Sequence, residues 1–253
     1  MVSLNPPRQP IFNVPTVVVA TLVVLLAVHL VRLFALTARG ELEFLLLFAF
    51  IPARYDSAML VSGTMPGGMF ADAWTFVTYS LIHADFMHLG FNAIWLLAFG
   101  TPLARRFGAA RFVAFVAAAA AAGALAHLVT HPGEIIPMVG ASGAISGAMA
   151  ASMRFAFQRG GPLWTGRADT ASYRQPALPL RAALREPRVL IFILLWFALN
   201  FLFGVGSISI GGDQQSVAWE AHVGGFMAGL LLFGFFDPVR GAPEAEPPSA
   251  SVW

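Results

Sequence analysis

The feature that most constrains this chain is a series of apolar segments, several of them about 20 residues long. A helix needs about 20 residues to cross the roughly 30 Å hydrocarbon layer of a bilayer. Six segments reach or approach this length, and we predict a transmembrane helix from each: residues 14–36, 76–99, 109–129, 142–157, 189–203 and 217–236. The sequence therefore predicts an all-α, polytopic membrane protein with six transmembrane helices.

The composition agrees with this fold class. Hydrophobic residues make up 58% of the chain and charged residues only 11%, whereas a soluble domain normally carries about 25% charged residues. So little polar surface could not cover a water-soluble globule. The chain also contains no cysteine, which excludes disulfides, a catalytic thiol and thiolate metal sites.

The ends of the chain differ in character from its middle. We expect residues 1–13 to form a polar N-terminal tail, residues 14–237 to form the membrane domain, and residues 238–253, rich in Pro, Glu, Ala and Ser, to form a disordered C-terminal tail. Within the first connection, residues 44–51 are apolar but too few to span, and we expect them to lie at the interface.

Arginines indicate the orientation, because they are enriched in cytoplasmic loops. They concentrate before the first span, between the second and third, between the fourth and fifth, and after the sixth. With six spans these positions share one side, so we expect both termini to face the cytoplasm. The short N-terminal tail and the compact helical core favour a bacterial inner membrane.

Three of the predicted spans carry polar residues, which are costly in a membrane and suggest function. The second span contains His83, His88 and Asn92. His88 and Asn92 are four residues apart, so they share a helix face, and two donors on one face suit a developing oxyanion. The alternative is that they only hydrogen-bond neighbouring helices.

Ser142 lies where a loop enters the fourth span, between Gly140 and Gly143. Glycines permit close backbone approach and unusual dihedral angles. A serine at a helix N-terminus lies beside unpaired backbone N–H groups, which can hold the negative oxygen formed when its hydroxyl attacks a carbonyl. An ordinary serine N-cap is the alternative.

His222 lies in the sixth span, followed by Gly225 and Gly229. Two small residues four apart let another helix come close. Close approach is what a histidine needs to reach a serine on a neighbouring helix, and a neutral imidazole can accept the serine proton. The alternative is a buried histidine that bonds a hydroxyl without chemistry. All three polar clusters fall in the same half of the membrane, which favours an acyl-transfer site.

The order of these motifs resembles the rhomboid family of intramembrane serine proteases. The likeness covers about residues 40–236 and is carried by His88-x-x-x-Asn92, Gly140-Ala141-Ser142-Gly143 and Ala221-His222-x-x-Gly225-x-x-x-Gly229. It implies a six-helix rhomboid-like bundle.

The resemblance also implies roles for individual residues. Ser142 would be the nucleophile and His222 the general base, with no third acid. The Ser142 backbone N–H and the side chains of His88 and Asn92 would hold the oxyanion. His83 matches a histidine found beside the water-filled cavity in many members.

The resemblance further implies single-pass membrane proteins as substrates, cut near the outer end of their span. It implies no cofactor, no metal and no nucleic acid as a partner. Two positions depart from the family pattern: Trp74 in the first connection is followed by Thr75 instead of arginine, and Ser146 stands where many members have an aromatic residue. The orientation of His222 must then come from another group.

Other functions are compatible with part of this sequence. A catalytically weak or silent rhomboid-like protein could bind transmembrane helices, although such proteins typically lose the serine or the histidine. A small transporter would predict internal repeats and charged residues at the membrane midplane. We expect packing, loop or cap roles for the remaining histidines, His29, His127 and His131.

Overall fold

The structure, a computed structural model, describes residues 13–57, 65–164, 171–204 and 218–239. Every regular element in these ranges is helical, and strand pairing is limited there to one isolated antiparallel bridge between Phe50 and Met138. The prediction of an all-α fold is therefore confirmed. The expected N-terminal tail, apart from Asn13, and nearly all of the expected disordered C-terminal tail lie outside the described residues.

The described ranges contain eight helices of more than two turns, which in chain order are α1 (Thr16–Phe34), α2 (Ala38–Phe48), α3 (Gly68–Thr78), α4 (Phe86–Phe107), α5 (Ala109–Thr130), α6 (Ser142–Met153), α7 (Pro187–Gly204) and α8 (Trp219–Phe236). Helix α4 contains a π-helical stretch, Leu96–Gly100. This stretch changes the hydrogen-bond register just before Pro102, which has no backbone donor, so the helix continues beyond it.

Four of these helices, α1, α4, α5 and α8, are long and apolar enough to cross a membrane. Helix α7 carries a shorter apolar stretch, Pro187–Leu202, and α6, with 12 residues, is only about 18 Å long. The helices therefore support an integral membrane protein. The two spans that correspond to α6 and α7 stay predictions.

The start of the second predicted span differs from the structure. Helix α4 begins at Phe86 rather than near residue 76, because the Asp85 carboxylate caps it by accepting a hydrogen bond from the His88 backbone N–H at 2.8 Å. Residues before the cap belong to α3, which ends at Thr78, and to a 3-10 turn, Tyr79–Leu81. A hydropathy profile does not separate α3 and this turn from α4, because all three are apolar.

Helix α6 lies at the centre of the described fold, packed against α5 and α8. Every residue from Gly143 to Met153 is buried. A Cβ atom on Gly225 would lie 1.9 Å from the Gly143 carbonyl oxygen, and one on Gly229 would lie 2.2 Å from the Gly147 carbonyl oxygen. The backbones of α6 and α8 are therefore in direct contact, which only glycine allows at these positions.

A buried arginine organises the connection between α1 and α4. Arg54 is 1% exposed, and its guanidinium donates to the Asp72 carboxylate at 3.1 Å, to the Pro66 carbonyl at 3.2 Å and to the Leu46 carbonyl. These bonds tie α2, the following turn and α3 together. Arg54 thus holds the connection together. It lies at a different place in the sequence from the arginine of the family pattern, because the residue after Trp74 is Thr75 in this chain.

We predict that Gly225→Ala destabilises the protein, because the added Cβ meets a carbonyl oxygen of a rigid helix and no side-chain rotation can relieve the overlap. Overpacking in a tight core typically costs about 1–3 kcal/mol. Gly234→Ala on the same helix is the matched control, since nothing lies within 4 Å of its Cβ position. Thermal unfolding in detergent should give a lower midpoint for Gly225→Ala only, and equal midpoints would contradict the backbone contact.

Candidate active site

Ser142 is the first residue of α6, and the turn before it sets its position. Gly140 has a φ of +123°, a conformation that favours glycine, and its N–H donates to the Tyr79 carbonyl at 3.1 Å. Because Ser142 begins the helix, the N–H groups of the first turn have no intrahelical acceptor and form the positive end of the helix dipole. The residue keeps part of its surface exposed, whereas the rest of α6 is buried.

His222 is the fourth residue of α8, and its imidazole faces Ser142. The distance between His222 Nε2 and Ser142 Oγ is 2.7 Å, which is a normal hydrogen-bond length. His222 is also only partly buried. The structure therefore brings together the two side chains that the sequence analysis selected as nucleophile and base.

Asn200 on α7 contacts the other side of the imidazole, and the sequence analysis missed it. Its Oδ1 lies 2.6 Å from His222 Nδ1, and its Nδ2 donates to the Trp196 carbonyl at 2.8 Å. A carbonyl only accepts hydrogen bonds, so the amide must turn Nδ2 toward Trp196 and Oδ1 toward the imidazole. His222 Nδ1 must then be the donor, which leaves Nε2 as an acceptor for the Ser142 hydroxyl.

A signal for Asn200 was present in the sequence. Within Pro187–Gly204, it is the single polar residue other than Arg188 at the start of the helix. A lone amide in an apolar segment is a functional candidate. Spacing alone, however, assigns it no partner.

Ser146, one turn after Ser142, has no aromatic ring that could orient the His222 imidazole. Its Oγ instead donates to the Ser142 carbonyl at 2.8 Å, within α6. Among the described residues, the group that holds the far side of the imidazole is the Asn200 amide, which is uncharged.

His88 lies over the turn that precedes Ser142. A Cβ atom on Gly140 would lie 2.7 Å from His88 Nε2, so the imidazole covers this glycine closely. His88 Nδ1 accepts a long hydrogen bond, 3.5 Å, from the Ala84 backbone N–H. This arrangement favours the tautomer with its proton on Nε2, the nitrogen nearest the turn.

Asn92 lies one turn further along α4 and is buried. Its Nδ2 donates one hydrogen to the His88 backbone carbonyl at 2.9 Å. An amide nitrogen carries two hydrogens, so one is left for a ligand. His88 and Asn92 are thus neighbours on one face of α4, each with a donor hydrogen, and His88 lies next to the turn that precedes Ser142.

Two further candidate residues have different surroundings. His83 is fully buried and packs edge-to-face against His88, with ring centroids 5.0 Å apart, and its carbonyl accepts a hydrogen bond from Arg32 at 2.6 Å. Trp74 docks α3 on α2, because its Nε1 donates to the Leu47 carbonyl at 2.8 Å. This described contact of Trp74 belongs to the first connection, and its cavity role stays a prediction.

Gly143 lies where three elements meet. A Cβ atom there would be 3.1 Å from the Ala221 carbonyl oxygen and 3.1 Å from the Tyr79 hydroxyl. Its small size therefore lets α6 approach the residue that precedes His222. In the described ranges, a cluster of metal-ligating side chains lies elsewhere, in the last turn of α5 and the residues that follow it.

Comparison with known proteins gives a consistent family. Residues 71–237 match a family profile described as Rhomboid domain, which is more than half of the chain. The chain is 28% identical over 173 residues to Rhomboid protease GluP of Bacillus subtilis, covering 68% of this chain and 27% of GluP. It is 38% identical over 87 residues to Putative rhomboid protease YdcA of the same species, covering 34% of this chain and 43% of YdcA.

A third relative is Rhomboid protease GlpG of Serratia proteamaculans, which is 24% identical over 178 residues, covering 70% of this chain and 52% of GlpG. The chain thus spans about a quarter to a half of the length of these three curated relatives.

Proposed function

The chain belongs to the rhomboid family, and we propose that it is an intramembrane serine endopeptidase that cleaves the transmembrane segments of other membrane proteins. The observation that carries this proposal is the 2.7 Å contact between Ser142 Oγ and His222 Nε2. The Asn200 amide supports it, because it leaves Nε2 free to accept the serine proton. A hydroxyl paired with a correctly protonated imidazole is the arrangement that nucleophilic catalysis needs.

The reaction follows from this geometry. Ser142 Oγ attacks the carbonyl carbon of the scissile peptide bond while its proton passes to His222 Nε2. The imidazolium that forms is stabilised by its Nδ1–H bond to Asn200. His222 then gives the proton to the leaving amine, and a water molecule hydrolyses the acyl-enzyme by the same route in reverse.

The negative oxygen of the tetrahedral intermediate needs preorganised donors. The Ser142 backbone N–H at the start of α6 is one, and the side chains of His88 and Asn92 are the others. The His88 tautomer with its proton on Nε2 and the second amide hydrogen of Asn92 both support this role. We assign His83 and the turn at Gly140 to supporting this donor set.

The proposed topology has six transmembrane helices, with the short α6 and with α7 as the fourth and fifth. Both termini face the cytoplasm of a bacterial cell, since the arginine-rich connections share that side. In this topology Ser142 and His222 both lie near the outer ends of their helices. Water and substrate therefore reach them from the outer face, and cleavage falls near the outer end of the substrate's span.

We predict that a fluorophosphonate probe labels the wild-type protein and fails to label Ser142→Ala, because the probe needs an activated serine. Ser146→Ala is the control, since this serine lies on the same helix and its hydrogen bond among the described residues is a local one to the Ser142 carbonyl. In-gel fluorescence of the purified proteins measures the outcome. Equal labelling of wild type and Ser142→Ala would refute the assignment, and an unlabelled wild type would favour a silent, helix-binding relative.

Asn92→Ala should lower kcat by roughly 10²–10³, as the loss of one oxyanion donor commonly does. Gly90→Ala on the same helix is the control, because nothing lies within 4 Å of its Cβ position. Cleavage of a fluorogenic transmembrane substrate gives kcat, and the unfolding midpoint reports whether the fold is intact. An unchanged kcat in Asn92→Ala would contradict the donor role.

Asn200→Leu should reduce kcat roughly 10- to 100-fold, which corresponds to the loss of one hydrogen bond to a charged group, about 1.5–3 kcal/mol. KM and the unfolding midpoint should change little. Asn200→Asp should recover part of the activity, because a carboxylate oxygen also accepts the Nδ1–H bond. If kcat fell in both variants only in proportion to the fall in the unfolding midpoint, Asn200 would be a packing residue and would not orient His222.

A further inference from the structure

A second group of ionisable side chains lies where α5 ends and α8 begins. His127 is in the last turn of α5, His131 directly follows the helix, Glu134 is in the next turn and Glu220 is in the first turn of α8. One ligand atom from each of His127, His131 and Glu134 lies within 4.8 Å of the other two. Glu220 Oε1 lies 3.9 Å from His131 Nε2, so this carboxylate lies next to the group on the side of His131.

The geometry of this group suits a shared ion better than direct hydrogen bonds. His127 Nε2 and Glu134 Oε2 are 3.8 Å apart, and both this distance and the His131–Glu220 distance exceed hydrogen-bond length. Zinc with bonds of about 2.0–2.2 Å in a tetrahedron holds its ligand atoms about 3.4 Å apart. The ligand atoms of His127, His131 and Glu134 lie within 4.8 Å of one another, so side-chain shifts of up to about 1 Å would bring them to the separations that a tetrahedral zinc site requires.

Two atoms of the group lack partners that buried polar atoms normally have. His127 is 6% exposed, and neither its Nδ1 nor the buried Oε2 of Glu134 makes a hydrogen bond with any described residue. Buried carboxylate oxygens are almost always paired, because desolvation without a partner is costly. A cation bound between His127 Nε2 and Glu134 Oε2 removes this cost for the carboxylate oxygen.

The charge and the ligand types indicate which ion would bind. Two neutral imidazoles and two carboxylates carry a net charge of −2, which a divalent cation neutralises. The ion-pair contacts that Glu134 and Glu220 make with described residues are with these histidines. Imidazole nitrogens favour transition metals over calcium and magnesium.

We propose that His127, His131, Glu134 and Glu220 bind one divalent transition-metal ion of the zinc class. The ion joins the end of α5 and its following turn to the start of α8. This assignment replaces the packing and cap roles expected from the sequence for His127 and His131. It is separate from the hydrolytic chemistry, which needs no metal, although Glu220 precedes His222 by only two residues.

The test uses zinc chloride and the Ser142→Ala protein, purified without a histidine tag and stripped with a chelator, so that proteolysis plays no part. We expect calorimetry to show one zinc ion per chain and the unfolding midpoint to rise with zinc concentration. Cobalt(II) should give the visible absorption of a tetrahedral site. His131→Ala and Glu220→Gln should each weaken zinc binding by about tenfold or more.

Glu43→Gln is the matched control, because this exposed glutamate pairs with Arg39 and lies far along the chain from the site. Its zinc affinity should equal that of the parent protein. Absence of zinc binding by the parent would overturn the proposal, as would unchanged affinity in both His131→Ala and Glu220→Gln. Zinc binding that is lost in His88→Ala but kept in His131→Ala would place the ion at His88 instead, and this result would also overturn the proposal.

Discussion

The direct contact between the backbones of α6 and α8 is the constraint on which the rest of the site depends. Helices in a bilayer gain little from hydrophobic burial against one another, so small residues and close packing must hold them together. Gly225 and Gly229 leave room for the carbonyl groups of Gly143 and Gly147, and no other residue type fits. Ser142 directly precedes the first of these carbonyls in sequence. The packing of the two helices thereby also fixes the distance between the hydroxyl and the imidazole.

A directed chain of hydrogen bonds runs through the site. It begins at the Trp196 carbonyl, passes through the Asn200 amide and the His222 imidazole, and ends at the Ser142 hydroxyl. Because the Trp196 carbonyl cannot donate a hydrogen bond, the orientation of the Asn200 amide and the position of the proton on the His222 imidazole are both determined. In a membrane interior, where unpaired polar groups are costly, this chain satisfies four polar groups without introducing a formal charge. An amide in place of a carboxylate is suited to that environment.

Polar residues within apolar segments carried most of what the sequence could predict. Ser142 and His222 stood out in this way, and the structure brings them into hydrogen-bond contact. Asn200 gave the same kind of signal, but one isolated amide has no spacing partner, and only the folded chain shows what it contacts. The start of α4 was misjudged because hydropathy does not register the Asp85 cap. The role of Arg54 could not be predicted either, since its partners are mostly backbone carbonyls that a sequence does not distinguish.

The glycine contact between α6 and α8 also bears on thermal motion. Two helices whose backbones touch at successive turns have no compressible side-chain layer between them, so they cannot slide or tilt relative to each other without breaking the contact. They behave as one rigid body that carries both Ser142 and His222. Thermal motions that change access to this site must then arise in parts of the chain outside this pair, while the distance between the hydroxyl and the imidazole stays constant.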